Sequence, residues 1–404
     1  MTARPVRRAI RPADRAEALA SARNLKMARS AHAYVRGSTA KFYAWLEDSA
    51  GKVPEGPPIW ICGDCHVGNL GPLADAKGRV AVQIRDLDQT VIGNPAHDLI
   101  RLGLSLASAA RGSDLPGVTT AKILEHLAAG YEAALGGVFE GERDKSHRPV
   151  EIQALLERSV RRRWRHLAAE RLDTVEPRVP LGRKFWHLDR KETAALKALV
   201  SDRDLSAMIS ALNGRGADDA VELVDAAYWM KGCSSLGRLR YAAMLRVSDG
   251  ASSSLCLIDV KEATAAAAPR AADETMPRDN AVRVVTGARA LSPYLGERMI
   301  AARLLDKAVV LRELMPQDLK IEVDRLSPKK ATALARYLGG VVGRAHGRQM
   351  DAGARAAWRE TLKKAGTSTL EAPAWLWSNV VELIGTHEAA YLEHCRRFAL
   401  SQPA

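Results

Sequence analysis

Residues 60–102 read WICGDCHVGNLGPLADAKGRVAVQIRDLDQTVIGNPAHDLIRL, and the remainder of the chain falls into place around them. An apolar run, Ile59 to Cys62, leads into a Gly-punctuated loop that presents Asp64 and, five residues on, Asn69. A second run, Val80 to Ile84, alternates as a strand does and delivers Asp86 and Asp88 at its end. Phosphoryl transfer asks a protein for positioning and charge neutralisation rather than covalent work. One carboxylate orients the acceptor hydroxyl, while an amide oxygen and further carboxylates hold Mg²⁺ on the phosphates. Asp64, Asn69 and Asp86 are therefore the candidate catalytic set, and Asn69, Asp86 and Asp88 the candidate metal ligands. Either residue type alone is ordinary turn capping; the joint spacing, with each part at a strand end, favours chemistry.

Working outward, the 404 residues leave room for two or three packed units without staples. The composition, 47% hydrophobic and 26% charged, is that of a soluble globular protein, and scarce aromatics beside abundant Ala and Leu lean helical. Sixty Lys and Arg against 47 Asp and Glu give a net +13, which suits an anionic partner without locating a site. Five cysteines (Cys62, Cys65, Cys233, Cys256, Cys395) follow no disulfide spacing, and the basic N-terminus lacks an apolar signal core. No window approaches the length of a membrane span. A cytoplasmic protein with no membrane partner is expected. Cys62-x-x-Cys65-His66 spells a haem-attachment motif, but that chemistry needs export, so the two thiols are expected to be packing residues.

In chain order, residues 1–13 are expected as a flexible basic arm. Helical spacing runs from Asp14 to Asp48, interrupted at Arg36-Gly37, where Arg36 is either a phosphate-facing or a structural residue. Leu99 to Leu106 is read as a core helix with Asp98 as its N-cap. Residues 117–175 and 190–228 are read as further helices, the first carrying the run Arg161–Arg165, which is more often a solvated face than a nucleic-acid contact. These make a helical lobe over 14–228. Composition changes near Met230: two strands on either side of a Ser/Gly turn, a loop at 265–279, a helix at 280–290 and two more strands to Leu314 form a small β-rich lobe over 229–316. Helices over 317–404, at Pro328–His346, Trp375–Ile384 and Ala389–Phe398, return to the larger lobe.

Gly232-Cys-Ser-Ser-Leu-Gly237 between strand-like residues can fold over phosphates through backbone N–H groups. Two glycines near a hairpin are weak by themselves. They gain weight because Lys261 follows some twenty residues on, at the end of the apolar run Leu255–Ile258.

Gly63-Asp64-x-His66-x-x-Asn69 followed by Asp86 is similar to the GDxHxxN…D pattern of aminoglycoside phosphotransferases and related small-molecule kinases. The resemblance implies Asp64 as catalytic base, Asn69 as metal ligand and Asp86 as the main metal carboxylate, shared with or replaced by Asp88. It implies that Lys261 pairs with the nucleotide phosphates beneath Gly232, Ser235 and Gly237. Kinases ordinarily run from Gly-rich loop to Lys to catalytic loop, whereas here the catalytic loop comes first, an order that circular permutation reconciles. Leu311–Pro316, with Glu313 and Met315, then becomes the adenine-facing hinge. The permuted order resembles the bacterial family called domain of unknown function 2252, on the segments Tyr34–Gly37, Gly63–Gly71, Asp86–Gln89, Gly232–Tyr241, Val260–Ala263 and Ala345–Arg348.

The expected fold is thus α+β: a circularly permuted, protein-kinase-like, two-lobed structure with a helix-rich large lobe and a small antiparallel sheet. The expected activity is ATP- and Mg²⁺-dependent phosphoryl transfer to a hydroxyl of a small molecule. Nucleotidyl transfer is the alternative, as is a non-catalytic pseudokinase or nucleic-acid-binding module, the latter not favoured. Two departures stand out: Gln89 replaces an acid that relatives often carry, and the 280–290 helix offers Arg283 and Arg289 but no Glu for Lys261.

Overall fold

The computed structural model describes residues 10–138, 148–162, 178–182, 184–210, 215, 219–232, 236–321, 327–366 and 372–398. The chain is α+β. Its N-terminal segment is broken twice rather than once, into α1 (Arg15–Met27), α2 (Ala31–Gly37) and α3 (Thr39–Asp48). The extra break falls at Ser30, whose hydroxyl accepts from the Ala33 N–H as an N-cap. Two small antiparallel pairs follow: β1 (Ile59–Ile61) with β4 (Val91–Gly93), and the hairpin of β2 (Leu70–Ala74) with β3 (Val80–Ile84).

Helices α4 (Ala96–Arg111), α5 (Gly117–Leu135) and α6 (Val150–Val160) build the helical body. It is completed by the three C-terminal helices α11 (Pro328–Gly347), α12 (Ala352–Ala365) and α13 (Ala374–Phe398), which share its core. Leu99, Leu106, Leu124, Leu338, Val342, Trp358, Leu376 and Val380 are all buried in that one core. α5 and α11 lie backbone to backbone: a Cβ at Gly339 would run into the Leu127 carbonyl. The final helix is continuous where two were expected, because an isolated glycine, Gly385, is tolerated within an otherwise helical pattern.

Between these halves, β5 (Phe185–Trp186), β6 (Ala220–Trp229), β7 (Arg240–Ser248), β8 (Ser253–Glu262), β9 (Met299–Leu304) and β10 (Lys307–Glu313) form one antiparallel sheet, in the order β5-β6-β7-β8-β10-β9. Here 220–229 is a strand, not the end of a helical stretch. Its Ala- and Glu-containing sequence is drawn into the sheet by pairing with β7, through a bulge at Leu223/Asp225 where Asp225 accepts from the Val179 N–H. Helices α7 (Arg190–Val200) and α8 (Arg203–Ser210) pack on one sheet face through Leu196, Val200, Leu205 and Ile209. The sheet unit therefore begins near residue 185 rather than 229. α9 (Asn280–Leu291) and the short α10 (Pro293–Gly296) lie on the other side and share the core of the helical body. Among the described residues no helix is long and apolar enough to cross a membrane.

Candidate active site

The β2–β3 hairpin explains how residues 69 and 86 meet. Leu70 pairs with Ile84, so the residues just outside the ladder, Asn69 and Arg85, also face one another, and the Arg85 N–H donates to the Asn69 carbonyl at 2.7 Å. Asp86 follows immediately. The loop before β2 is bound just as closely. Gly63 sits at φ +74°, and a Cβ there would overlap the Gln89 carbonyl oxygen, so glycine is required on both counts. Tyr43 donates to the Gly63 carbonyl at 2.6 Å.

Asp98 is the anchor. The helix starts at Ala96, three residues before Leu99, so Asp98 lies in its first turn and is not its N-cap. Its fully buried carboxylate turns away to accept the N–H groups of Cys62 (2.7 Å) and Gly63 (2.9 Å), and it lies 3.1 Å from His346 Nε2. His346 Nδ1 is 3.0 Å from the Tyr131 hydroxyl, which accepts from the Trp358 indole N–H at 3.0 Å. Indole is a donor only, so the tyrosine passes its own proton towards Nδ1, leaving Nε2–H to donate to Asp98. A buried chain of side chains from four helices thus holds the loop that carries Asp64.

Asp64 is itself buried, with Oδ1 accepting from Arg101 Nε at 2.9 Å; Arg101 is held by the Val35 carbonyl at 2.6 Å. Burial pushes the Asp64 carboxyl up, and Arg101 opposes this. His66, 3.9 Å from Asp64, is pushed well below its ordinary range by burial and by Arg36 and Arg101, so it is neutral at pH 7. Asn69 donates its amide to the Asp64 carbonyl at 3.0 Å, which leaves Oδ1 without a partner among the described residues.

Lys261 arrives from the sheet. On β8, Asp259 and Lys261 share a face with Arg240 and Arg312, their ladder neighbours on β7 and β10. Lys261 Nζ ion-pairs with Asp88 and lies 3.4 Å from Asp86. The acid that pairs with this lysine is therefore supplied by the 86–88 turn. Glu262 is committed elsewhere, to Lys307 at 2.9 Å and to the Leu239 N–H at 2.8 Å. Arg283 of α9 spans the gap instead, donating to the carbonyls of Asp88, Thr90 and Thr264. Burial works against charge on Asp86, but Lys261 and Arg240 hold its carboxyl well below the usual carboxylate range; burial and the Asp86 charge push Asp88 up to about 6. Gln89 accepts from the Ala267 N–H at 2.7 Å and ties down the loop after β8.

These groups line a cavity of about 350 Å³. Asp64, Asn69, Asp86, Asp88 and Gly232 reach it, and Lys261 touches it through the aspartates. Gly237, Glu313 and Met315 are not brought there. Gly237 lies against Leu239 and Tyr241 at a second hollow beyond the sheet. Strand alternation turns Glu313 to the face opposite Lys261, where it ion-pairs with Arg215 at 2.8 Å, and Met315 is buried. Ser235 and Arg163–Arg165 lie outside the described residues; Arg162 is buried, donating to the Pro316 carbonyl at 2.5 Å, not solvated.

Asn69 Oδ1 and the two carboxylates line one cavity and are an all-oxygen donor set of the kind that fits a hard cation, and the Lys261 ammonium stands beside the two carboxylates. Cys62, Cys65 and Asp98 also cluster, with ligand atoms within 4.8 Å of one another. There Asp98 is already occupied by two amides and His346. The hydrogen bond with Cys65 and burial push Cys62 up; at Cys65 the hydrogen bond with Cys62 pulls the thiol down, but burial together with the charges of Asp98 and Asp64 pushes it up further, so both remain thiols. Sequence spacing singled out the loop and the 86–88 turn but missed Arg101 and the anchoring roles of Arg283, Asp98 and His346. A helix-start acid at 98 and the Ala345–Arg348 segment were the only signals.

An α+β chain with a carboxylate-lined, strongly basic cleft is the class defined so far. The chain belongs to the DUF2252 family, described as uncharacterized proteins conserved in bacteria, whose profile matches residues 15–397. No curated protein and no solved structure matches it.

Proposed function

We propose that this protein is an ATP- and Mg²⁺-dependent phosphotransferase of circularly permuted, kinase-like fold, acting on a hydroxyl of a small molecule. The observation that carries this is the meeting of three separate elements. The 63–69 loop, the 86–88 turn and strand β8 bring Asp64, Asn69, Asp86, Asp88 and Lys261 to one cleft although they span nearly two hundred residues. Asp64, buried and fixed by Arg101, orients the acceptor hydroxyl and takes its proton as its oxygen bonds to the γ-phosphorus and the bond from that phosphorus to the oxygen of departing ADP breaks. Asn69, Asp86 and Asp88 are the residues to hold Mg²⁺, which when bound neutralises charge on the phosphates. Lys261 exchanges its aspartates for phosphate oxygens when nucleotide enters. Because Glu313 and Met315 face away, the base is placed against Met230 and Trp229, which line the cleft at the end of β6.

Calorimetry with ATP, with and without Mg²⁺, is the test, followed by an acceptor screen read by product mass. Asp64→Ala is expected to bind nucleotide like wild type and to lose transfer. Asp86→Ala is expected to lose the Mg²⁺-dependent part of binding. Full transfer by Asp64→Ala would overturn the mechanism, and an added AMP unit instead of a phosphoryl group would reassign the reaction.

A further inference from the structure

The cleft holds more positive charge than a nucleotide accounts for. Eight of its twenty lining residues are Lys or Arg and four are Asp, an excess of four with His66 neutral. Mg²⁺-bound ATP, much of whose charge the metal offsets, does not balance that excess. Seven of the eight cations are already engaged: Lys26 with the Gly232 carbonyl, Lys231 and Arg240 with Asp259, Arg312 with Asp318, and Arg85, Lys184 and Lys320 with other partners. Arg36 is the exception. Among the described residues it has no hydrogen bond and no ion pair, and its Nε is buried without a partner.

Its placement is nevertheless specified. The guanidinium lies against Gly68, where a Cβ would come within 2.9 Å of Cζ and Nη2, so the loop carries glycine at the point where Arg36 rests. Gly68 stands between His66 and Asn69. The residue before Arg36, Val35, gives its carbonyl to Arg101, which in turn holds Asp64. Arg36 therefore belongs to the Asp64 side of the cleft, the side of the acceptor, whereas Lys261 serves the Asp86–Asp88 side. A guanidinium cannot shed its charge, and its planar fork matches the two oxygens of a phosphate or carboxylate.

We propose that Arg36 anchors an anionic group of the acceptor. The acceptor is then a hydroxyl compound that already bears a phosphate or carboxylate, placed so that its hydroxyl reaches Asp64. This rests on the phosphotransferase reading above.

The test is calorimetric titration of inorganic phosphate, then acetate, into full-length protein saturated with Mg²⁺ and a non-hydrolysable ATP analogue, so that the nucleotide's own phosphate positions are filled. Wild type is expected to bind one or both anions, and Arg36→Met to bind them about tenfold or more weakly, with its melting temperature and its affinity for the analogue unchanged. Arg36→Lys, which keeps charge but not the fork, is expected to fall between the two. Gly68→Ala, which displaces the guanidinium without removing it, is expected to weaken anion binding as well. Equal anion affinity in wild type and Arg36→Met would overturn the proposal. So would a variant that weakens the ATP analogue but not ADP, which would assign Arg36 to the nucleotide's terminal phosphate. If wild type binds no nucleotide, the phosphotransferase reading fails; titrating phosphate into the nucleotide-free pair then decides Arg36 separately.

Discussion

Two glycine-bearing loops face the cleft, and they are built in opposite ways. The backbone leading into and along the 63–69 loop is held from outside: Asp98 takes the N–H groups of Cys62 and Gly63, Ser105 that of Val67, Tyr43 reaches the Gly63 carbonyl, and Gly63 has no room for a side chain. The β6–β7 connection also carries glycines at positive φ, Gly232 and Gly237, but Gly232 is held by a surface lysine and a Cβ at Gly237 would meet nothing. The first loop is rigid because it must hold a carboxylate at a fixed point. The contrast is between a loop pinned by its surroundings and a connection with open space beside Gly237.

The most direct way to break this contrast is to substitute alanine at one glycine of each loop. Gly63→Ala combines backbone strain with a clash against Gln89 and is expected to cost about 3–5 kcal/mol. Gly237→Ala meets strain alone and is expected to cost about 1 kcal/mol. Thermal or urea unfolding of the pair measures both, and similar losses would remove the distinction. Next in size is Asp98→Ala. It leaves two buried N–H groups and His346 without their acceptor, for an expected loss of about 3 kcal/mol. Amide exchange at Cys62 and Gly63 should accelerate while the sheet amides of β7 and β8 stay protected.

A further effect is set by acid. Buried His66 is pushed well below its usual range, and His97 and His387 are pushed down to about 4, burial being the main cause in each. All three belong to the helical body, whereas His187 beside the sheet is exposed. A histidine whose folded pKa is depressed takes up its proton more readily when unfolded. Stability is therefore intact above about pH 6.5 and falls as pH drops towards 4, by about 2 kcal/mol for a well-buried ring. Exchange at pH 5 should rise first around Asp64 and last within the sheet. The reverse order would contradict the division drawn here.

What could be read in advance follows the same division. Asp64, Asn69, Asp86 and Asp88 stand in short local patterns, so their convergence was visible from spacing, and the strands from 240 to 313 announced themselves by alternation and turns. Asp98 looked like a helix cap because a helix-start acid ordinarily is one. Its true partners lie 35 and 248 residues away, and nothing in spacing encodes that. The acid partner of Lys261 was sought on the neighbouring helix, where a glutamate would be local, and was found across the cleft. Glu313 was misplaced by a single strand face: being next to Arg312 in sequence puts it on the opposite side of the sheet.

Lys261 resting between Asp86 and Asp88 has one further consequence. An empty pair of adjacent carboxylates repels itself and often makes a metalloprotein fragile once its ion is stripped. Here the chain carries its own counter-ion at that spot. Prolonged dialysis against a chelator should therefore leave the melting temperature where it was, the lysine doing for the two carboxylates what an added cation would otherwise have to do.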